Sequence, residues 1–318
     1  MPNGLEGVVV AQTALSRVDG EHGVLIYGGY DIRDLAQAVS FEQVAHLLWY
    51  GALPTRAQLN ALKIELARHR ELPDVAIHVL RALPPATAPM DALRTVVSAL
   101  GAGQPFVQPN LTQVIALTAQ APVILAAFDR LRRGLEPLAA RQDLDHAANY
   151  LFLMSGKAPT EKQANALTTY MILLADHGLN ASTFAARVVA STWSDLYSCI
   201  TAALGALKGP LHGGAPSRVL DMIEAIGARE NAEKWIRDAF ARKERLMGFG
   251  HRMYKTTDPR SEILRDIARE VCLPEFFALA QGVEETGLQL LHERKPDERL
   301  YTNVEFYSAA VLHAVGLP

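Results

Sequence analysis

Along most of this chain apolar residues recur at helical spacing. Ala164, Leu167, Met171 and Leu174 fall on one face, as do Val219, Met222, Ile223 and Ile226, and again Phe276, Leu279, Ala280, Val283 and Leu290. Such a stripe, repeating every three or four positions, predicts helices that each bury one side. The punctuation agrees. Ser40-Phe41-Glu42-Gln43, Thr55-Arg56-Ala57-Gln58 and Thr160-Glu161-Lys162-Gln163 each place a hydroxyl three residues before a glutamine. In that spacing the two side chains satisfy each other's free backbone amides at a helix start. Residues 183–207 are apolar almost all round, apart from a few polar interruptions. They predict a helix buried at the centre of a helical protein, and enough apolar surface to contribute to a two-fold interface or the core beside it.

Residues 4–30 read differently. Val8-Val9-Val10 and Val24-Leu25-Ile26-Tyr27 are β-rich runs, separated by the turn signal Asp19-Gly20 and followed by Gly28-Gly29. They predict a small strand pair. No internal repeat or low-complexity segment follows. Pro84-Pro85 and Gln104-Pro105 mark loops, and Gly209-Pro210-Leu211-His212-Gly213-Gly214 marks a junction where the apolar stretch stops and an amphipathic helix begins.

At 318 residues and 49% hydrophobic content the chain can bury a sizeable core, and its length predicts about two domains. The net charge of −3 comes from well-mixed acidic and basic residues, which excludes the basic footprint of a nucleic-acid binder. Cys199 and Cys272 are isolated, as in a reducing compartment, and form no disulfide framework or thiolate metal site. The N-terminus has no basic region ahead of its short apolar run, and no uninterrupted apolar stretch is long enough to span a bilayer. The expectation is a soluble, cytoplasmic protein with neither nucleic acid nor membrane as partner.

Titratable residues stand beside glycines or helix starts in four segments. They are residues 175–182 with His177 and Asn180, residues 209–217 with His212, residues 247–260 with His251, Arg252, Lys255 and Arg260, and residues 300–310 with Glu305. Each has an ordinary structural reading. A single histidine in a helical protein is usually just satisfied or exposed, glycine pairs end helices, and a glutamate favours a helix N-terminus. A zinc site of His177, His212, His251 and Glu305 lacks the paired-histidine helical spacing that makes such a reading informative, so no metal is expected.

Taken together the segments say more. DHGLNASTF at 176–184, GPLHGGA at 209–215, GFGHRMYKTTDPR at 248–260 and LYTNVEFYS at 300–308 follow one another in order, after GLEGVVVAQTALSRVDGEHGVLIYGGYDIRDLA at the N-terminus and LRTVVSAL at 93–100. In these motifs the chain resembles the citrate synthases, in the short bacterial form that also includes 2-methylcitrate synthases. The resemblance implies an all-α, two-domain fold with a small N-terminal β element, a large domain over residues 1–213, a small one over 214–318, and a homodimer. It implies a transferase of the tricarboxylic acid cycle that condenses acetyl-CoA with oxaloacetate and water to citrate and CoA, with no permanently bound cofactor. His212, His251 and Glu305 match the catalytic positions: donor to the acyl-CoA thioester oxygen, polariser of the oxaloacetate carbonyl, and base for the α-proton. His177 and Arg260 match residues that hold oxaloacetate. Leu246, Met247, Gly248, Phe249 and Gly250, with Lys255 close behind, match the part that contacts CoA.

The chemistry asks for these residue types. Forming a carbon–carbon bond from a thioester needs a base at the α-carbon, a donor where enolate charge develops and a donor on the acceptor carbonyl. A neutral histidine at a glycine-flanked helix start suits the donor role. A dicarboxylate calls for arginine, whose guanidinium binds it in bidentate fashion. Two departures stand out. Most of the family has Asp where Glu305 stands. Family members also continue through a segment with two more substrate-binding arginines, whereas the sequence given stops at Leu317-Pro318. The alternatives are a 2-methylcitrate synthase using propionyl-CoA and a non-catalytic paralogue that binds CoA or a dicarboxylate.

Overall fold

All three hydroxyl–glutamine signals start helices. Ser40, Thr55 and Thr160 are N-caps whose oxygens accept from the amides of Gln43, Gln58 and Gln163, and each glutamine side chain bonds back to its cap's amide. The computed structural model describes residues 8–105, 107–209, 212–213 and 215–318; Pro210, Leu211 and Gly214 of the GPLHGGA motif, and residues 4–7, lie outside the described residues. Three short strands come first, β1 (Ser16–Asp19), β2 (Val24–Tyr27) and β3 (Tyr30–Asp31). There follow α1 (Ile32–Ala38), α2 (Phe41–Tyr50), α3 (Arg56–Arg68), α4 (Asp74–Ala82), α5 (Pro89–Gly101), α6 (Leu111–Arg132), α7 (His146–Ser155) and α8 (Glu161–Leu173). Then come α9 (Ala181–Ala190), α10 (Leu196–Leu207), α11 (Ala215–Ile226), α12 (Ala232–Ala241), α13 (Pro259–Val271), α14 (Pro274–Arg294) and α15 (Val304–Ala314). The protein is all-α apart from the small N-terminal sheet.

That sheet is antiparallel in the order β1-β2-β3, with Ser16 opposite Tyr27, Asp19 opposite Val24 and Ile26 opposite Asp31. The partner of Val24–Tyr27 is thus Ser16–Asp19, not Val8–Val10, which lies outside any strand with all three valines exposed. Local geometry decides this. A short turn after Asp19 returns the chain directly alongside itself, and strand preference reflects packing against a neighbour more than the residues' own tendency. Leu25 and Tyr27 point inward and are fully buried.

The apolar stretch 183–207 is two helices rather than one. The Ser191 and Thr192 hydroxyls bond the carbonyls of Val188 and Val189, Trp193 takes a left-handed conformation (φ 63°), and Asp195 caps α10 by accepting from the amide of Ser198. Nor is the pair central. α9 packs on α10 and buries no residue within the chain, while α10 buries Leu196 and Cys199. The predicted stripe of α11 is buried throughout, at Val219, Met222, Ile223 and Ile226. In α8 the buried side is instead Ala166, Leu167, Thr169, Ile172 and Leu173, with Leu174 exposed. Helices α1, α2, α7, α13 and α15 all touch α8, and a helix enclosed on several sides has no single stripe. The helix α6 is long and apolar enough in the mean to cross a bilayer, although Thr112, Gln113, Thr118 and Gln120 interrupt its apolar run. It packs on α3, α4, α5 and α7 as a core helix does.

The largest core joins Tyr27, Leu167 and Leu173 to Val219, Phe306 and Ala310, so residues from both sides of Gly213 share it. A second core gathers α4, α5, α6 and α10 around Val96, Ile124 and Phe128. The candidate site lies where α8, α13 and α15 meet and where α9 begins.

Candidate active site

His177 is carried by the tight connection between α8 and α9. Asp176 accepts the amide of Gly178 (2.8 Å), and Asn180 caps α9 by accepting from the amide of Thr183 (2.9 Å). The His177 ring meets the edge of the His251 ring at 5.4 Å between centroids, and its Nε2 lies 3.2 Å from the Tyr254 hydroxyl. His251 sits in the loop before α13. Its Nδ1 accepts the amides of Met253 (3.0 Å) and Tyr254 (3.2 Å), which puts the ring proton on Nε2.

Burial drives both histidines toward the neutral form. His177 is lowered to about 3, first by burial and then by the charge of Arg260 and by His251. His251 is lowered by burial, with Arg260 and Lys255 adding and Asp258 opposing. A neutral imidazole still donates one hydrogen bond, so each ring can polarise a carbonyl without first giving up a proton.

Arg260 lies in the first turn of α13, almost fully buried. Its Nε and Nη2 donate to the two oxygens of Asp258 at 3.0 and 2.8 Å, and its guanidinium carbon stands 5.7 Å from the centre of the Tyr254 ring. The ion pair leaves the Nη1 edge for an incoming carboxylate. Asp258 also caps α13 and accepts the amide of Val304 (3.1 Å), tying the starts of α13 and α15 together.

Glu305 follows at the second position of α15, where Asn303 accepts its amide (3.0 Å). Backbone bonds join this end of α15 to the segment before His251: Gly250 N donates to Tyr301 O (2.7 Å), Asn303 N to Gly248 O (2.9 Å) and Asn303 Nδ2 to Gly250 O (2.9 Å). The Glu305 carboxyl is pushed above the usual carboxylate range, chiefly by burial, with Asp258 adding and Arg260 opposing. A carboxylate with raised proton affinity is a better base near neutral pH.

His212 and Glu305 both line a cleft of about 790 Å³, which Met222, Trp235, Leu246 and Phe249 also line. The His212 Nε2 meets both the amide (3.2 Å) and the hydroxyl (2.9 Å) of Ser182 in the first turn of α9; because the amide can only donate, Nε2 is assigned as acceptor and Nδ1 as carrier of the ring proton. The first turn of α9, remote in sequence, thus supplies a backbone donor to His212. Gly248 is required where it stands. Its φ is +83°, and a Cβ there would lie 2.8 Å from the Phe306 ring.

Of the residues singled out in the sequence, His212, Glu305, Leu246, Met247, Gly248 and Phe249 line the cleft. His177, His251 and Arg260 form the polar cluster beside it, and Gly250 is paired with Tyr301. Lys255 is not among the lining residues; its ammonium bonds the Arg252 carbonyl and its amide the Gly20 carbonyl. Tyr254, Asp258 and Ser182 were missed. The Asp-Pro pair at 258–259 is a helix-start signal that could have exposed Asp258. Nothing in the sequence marks the amide of Ser182.

Comparison with known proteins agrees with the motifs. The family model for the C-terminal domain of citrate synthase matches residues 4–318. The citrate synthase of Haloferax volcanii is 42% identical, over all of this chain and 86% of that protein. A 2-methylcitrate synthase of Mycobacterium tuberculosis is 47% identical, over 81% of this chain and 66% of that protein. Among solved structures, a ternary complex of Thermoplasma acidophilum citrate synthase with carboxymethyl coenzyme A and oxaloacetate superposes with a TM-score of 0.90 at 32% identity, over 99% of this chain and 84% of that one. With His212 and Glu305 on one helix-built cleft, His177 and His251 in the polar cluster beside it, and matches of this length, the chain belongs to the citrate synthase family.

Proposed function

We propose that the protein condenses acetyl-CoA with oxaloacetate and water, releasing citrate and CoA. Glu305 takes a proton from the methyl carbon of the thioester. The Nδ1–H of His212 stabilises the negative charge that develops on the thioester oxygen, and the Nε2–H of His251 polarises the 2-oxo group of oxaloacetate. The enol carbon attacks that carbonyl, and water then hydrolyses the thioester of the condensed product. His177 and Arg260 hold oxaloacetate, Arg260 through a carboxylate. The segment Leu246–Gly250 lies along CoA, and Lys255 contributes from outside the cleft.

One observation carries this reading: a carboxyl with raised proton affinity and a histidine line the same cleft, beside two histidines that burial drives toward the neutral form. We assign residues 1–213 to a large domain and 214–318 to a small one that closes over the substrates, excluding water from the enolate. The chain works as a homodimer in the cytoplasm, and the apolar α9–α10 pair is the natural place for the two-fold contact.

Propionyl-CoA is the second acyl donor to consider, because the 2-methylcitrate synthase relative is the more identical over the part it shares. One methylene in an apolar pocket is worth only about 1–3 kcal/mol. Thiol release measured with oxaloacetate and each acyl-CoA in turn tests both readings. Turnover with acetyl-CoA at the higher kcat/KM supports the proposal, propionyl-CoA at the higher value supports the second reading, and release with neither removes both.

A further inference from the structure

The N-terminal hairpin touches both histidine loops. At its open end, the Tyr27 hydroxyl is fully buried and lies 2.8 Å from the carbonyl of Asp176 and 3.1 Å from that of Leu173, and it accepts the amide of Asp176 at 3.2 Å. Those are the backbone groups that end α8 and lead into His177. Beside it the Ser16 hydroxyl donates to the same Asp176 oxygen that receives the amide of Gly178. His177 is thus held on both sides by Asp176, and Asp176 is held by the hairpin.

The turn of the hairpin bears on the other loop. Gly20 O accepts the amide of Lys255 (2.8 Å), and a Cβ on Gly20 would lie 1.9 Å from the Met253 carbonyl oxygen. The hairpin backbone therefore rests directly on the peptides that donate to His251 Nδ1. Without a side chain to the contrary, only glycine permits that approach. One rigid antiparallel pair consequently spans from the loop of His177 to the loop of His251, whose rings meet between them.

We propose that this hairpin sets the spacing of the two histidines that receive oxaloacetate, and that Tyr27 is the positioning residue through which it acts on His177. The inference rests on the function proposed above. It makes the β element, which contributes nothing to the cleft lining, a determinant of keto-acid affinity. The Tyr27 ring packs in the core, and its hydroxyl bonds backbone groups that lead into His177, so removing the hydroxyl alone should appear in the binding of oxaloacetate and leave the acyl-CoA side unmoved.

The test is Tyr27→Phe, which keeps the ring and removes the hydroxyl, beside Ser16→Ala, which frees Asp176 at a partly buried position and disturbs the core less. Steady-state thiol release gives KM for each substrate, and titration calorimetry gives the affinity for oxaloacetate. We expect roughly a tenfold rise in KM and Kd for oxaloacetate in Tyr27→Phe, about 1.4 kcal/mol of binding, and a smaller rise in Ser16→Ala. KM for acetyl-CoA stays as in the wild type. If both variants fold and bind oxaloacetate as the wild type does, or weaken both substrates equally, the hairpin is only a structural support and the inference fails. A wild type without oxaloacetate-dependent thiol release fails the proposed function itself, and this inference with it; the wild-type assay therefore separates the two failures.

Discussion

At the scale of single residues, the proposed base is the sharpest question. Glu305 is longer than the aspartate common in the family by one C–C bond, about 1.5 Å. Asn303 and Asp258 hold the start of α15 so firmly to its neighbours that the backbone has little freedom to make up a shorter side chain. Glu305→Asp is therefore expected to withdraw the carboxylate and lower kcat by roughly 10²-fold; a rise in kcat would mean that the site is still built for aspartate. A second residue prediction concerns acid. His146 is buried and stacked on Phe41, and burial lowers it from 6.5 to about 4, with Arg70 adding. Between those pH values the unfolded chain binds a proton that the folded one refuses, so stability is intact above 6.5 and declines as pH falls. The slope per such group reaches at most about 1.4 kcal/mol per pH unit. His146→Leu should flatten the fall of Tm between pH 6.5 and 4, leaving the part due to His177 and His251, and an unchanged slope would show that His146 is not a group responsible.

At the scale of elements, the sequence was most legible where the signal is local. The capping boxes at Ser40, Thr55 and Thr160, the stripe of α11 and the start of α15 all stand where they were read. Strand pairing was not legible at Val8–Val10, because a partner is chosen by the turn that brings it alongside and not by its own composition. The long apolar stretch misled for a related reason: composition cannot distinguish a helix buried in its own chain from one that awaits another surface. α9 buries nothing within the chain, and Val188 stays 48% exposed on it. If this pair makes the two-fold contact, Val188→Asp should shift the protein from dimer toward monomer in sedimentation velocity at micromolar concentration. A wild type that is monomeric there, or a variant that remains fully dimeric, would remove α9 from the interface.

At the scale of the whole molecule, the site is assembled from loops far apart in sequence by the junction of α8, α13 and α15. The motifs named the titratable residues, but the links between them are backbone groups: the Ser182 amide on His212, the amides of Met253 and Tyr254 on His251, and Val304 on Asp258. Such partners are invisible in a sequence because every residue carries them. They nevertheless decide which ring nitrogen holds the proton, and hence what each histidine can do. In the proposed reaction the cleft, the histidine donors and the raised carboxyl work as one device, in which charge moves from the substrate carbon to oxygens met by fixed N–H groups. The most direct measurement of that account is thiol release from acetyl-CoA by wild type and Glu305→Gln, paired with calorimetric binding of oxaloacetate to each. The account predicts oxaloacetate-dependent release by the wild type, loss of at least about 10³-fold in the variant, and an oxaloacetate affinity that the substitution leaves within about twofold. A variant that turns over like the wild type would contradict it.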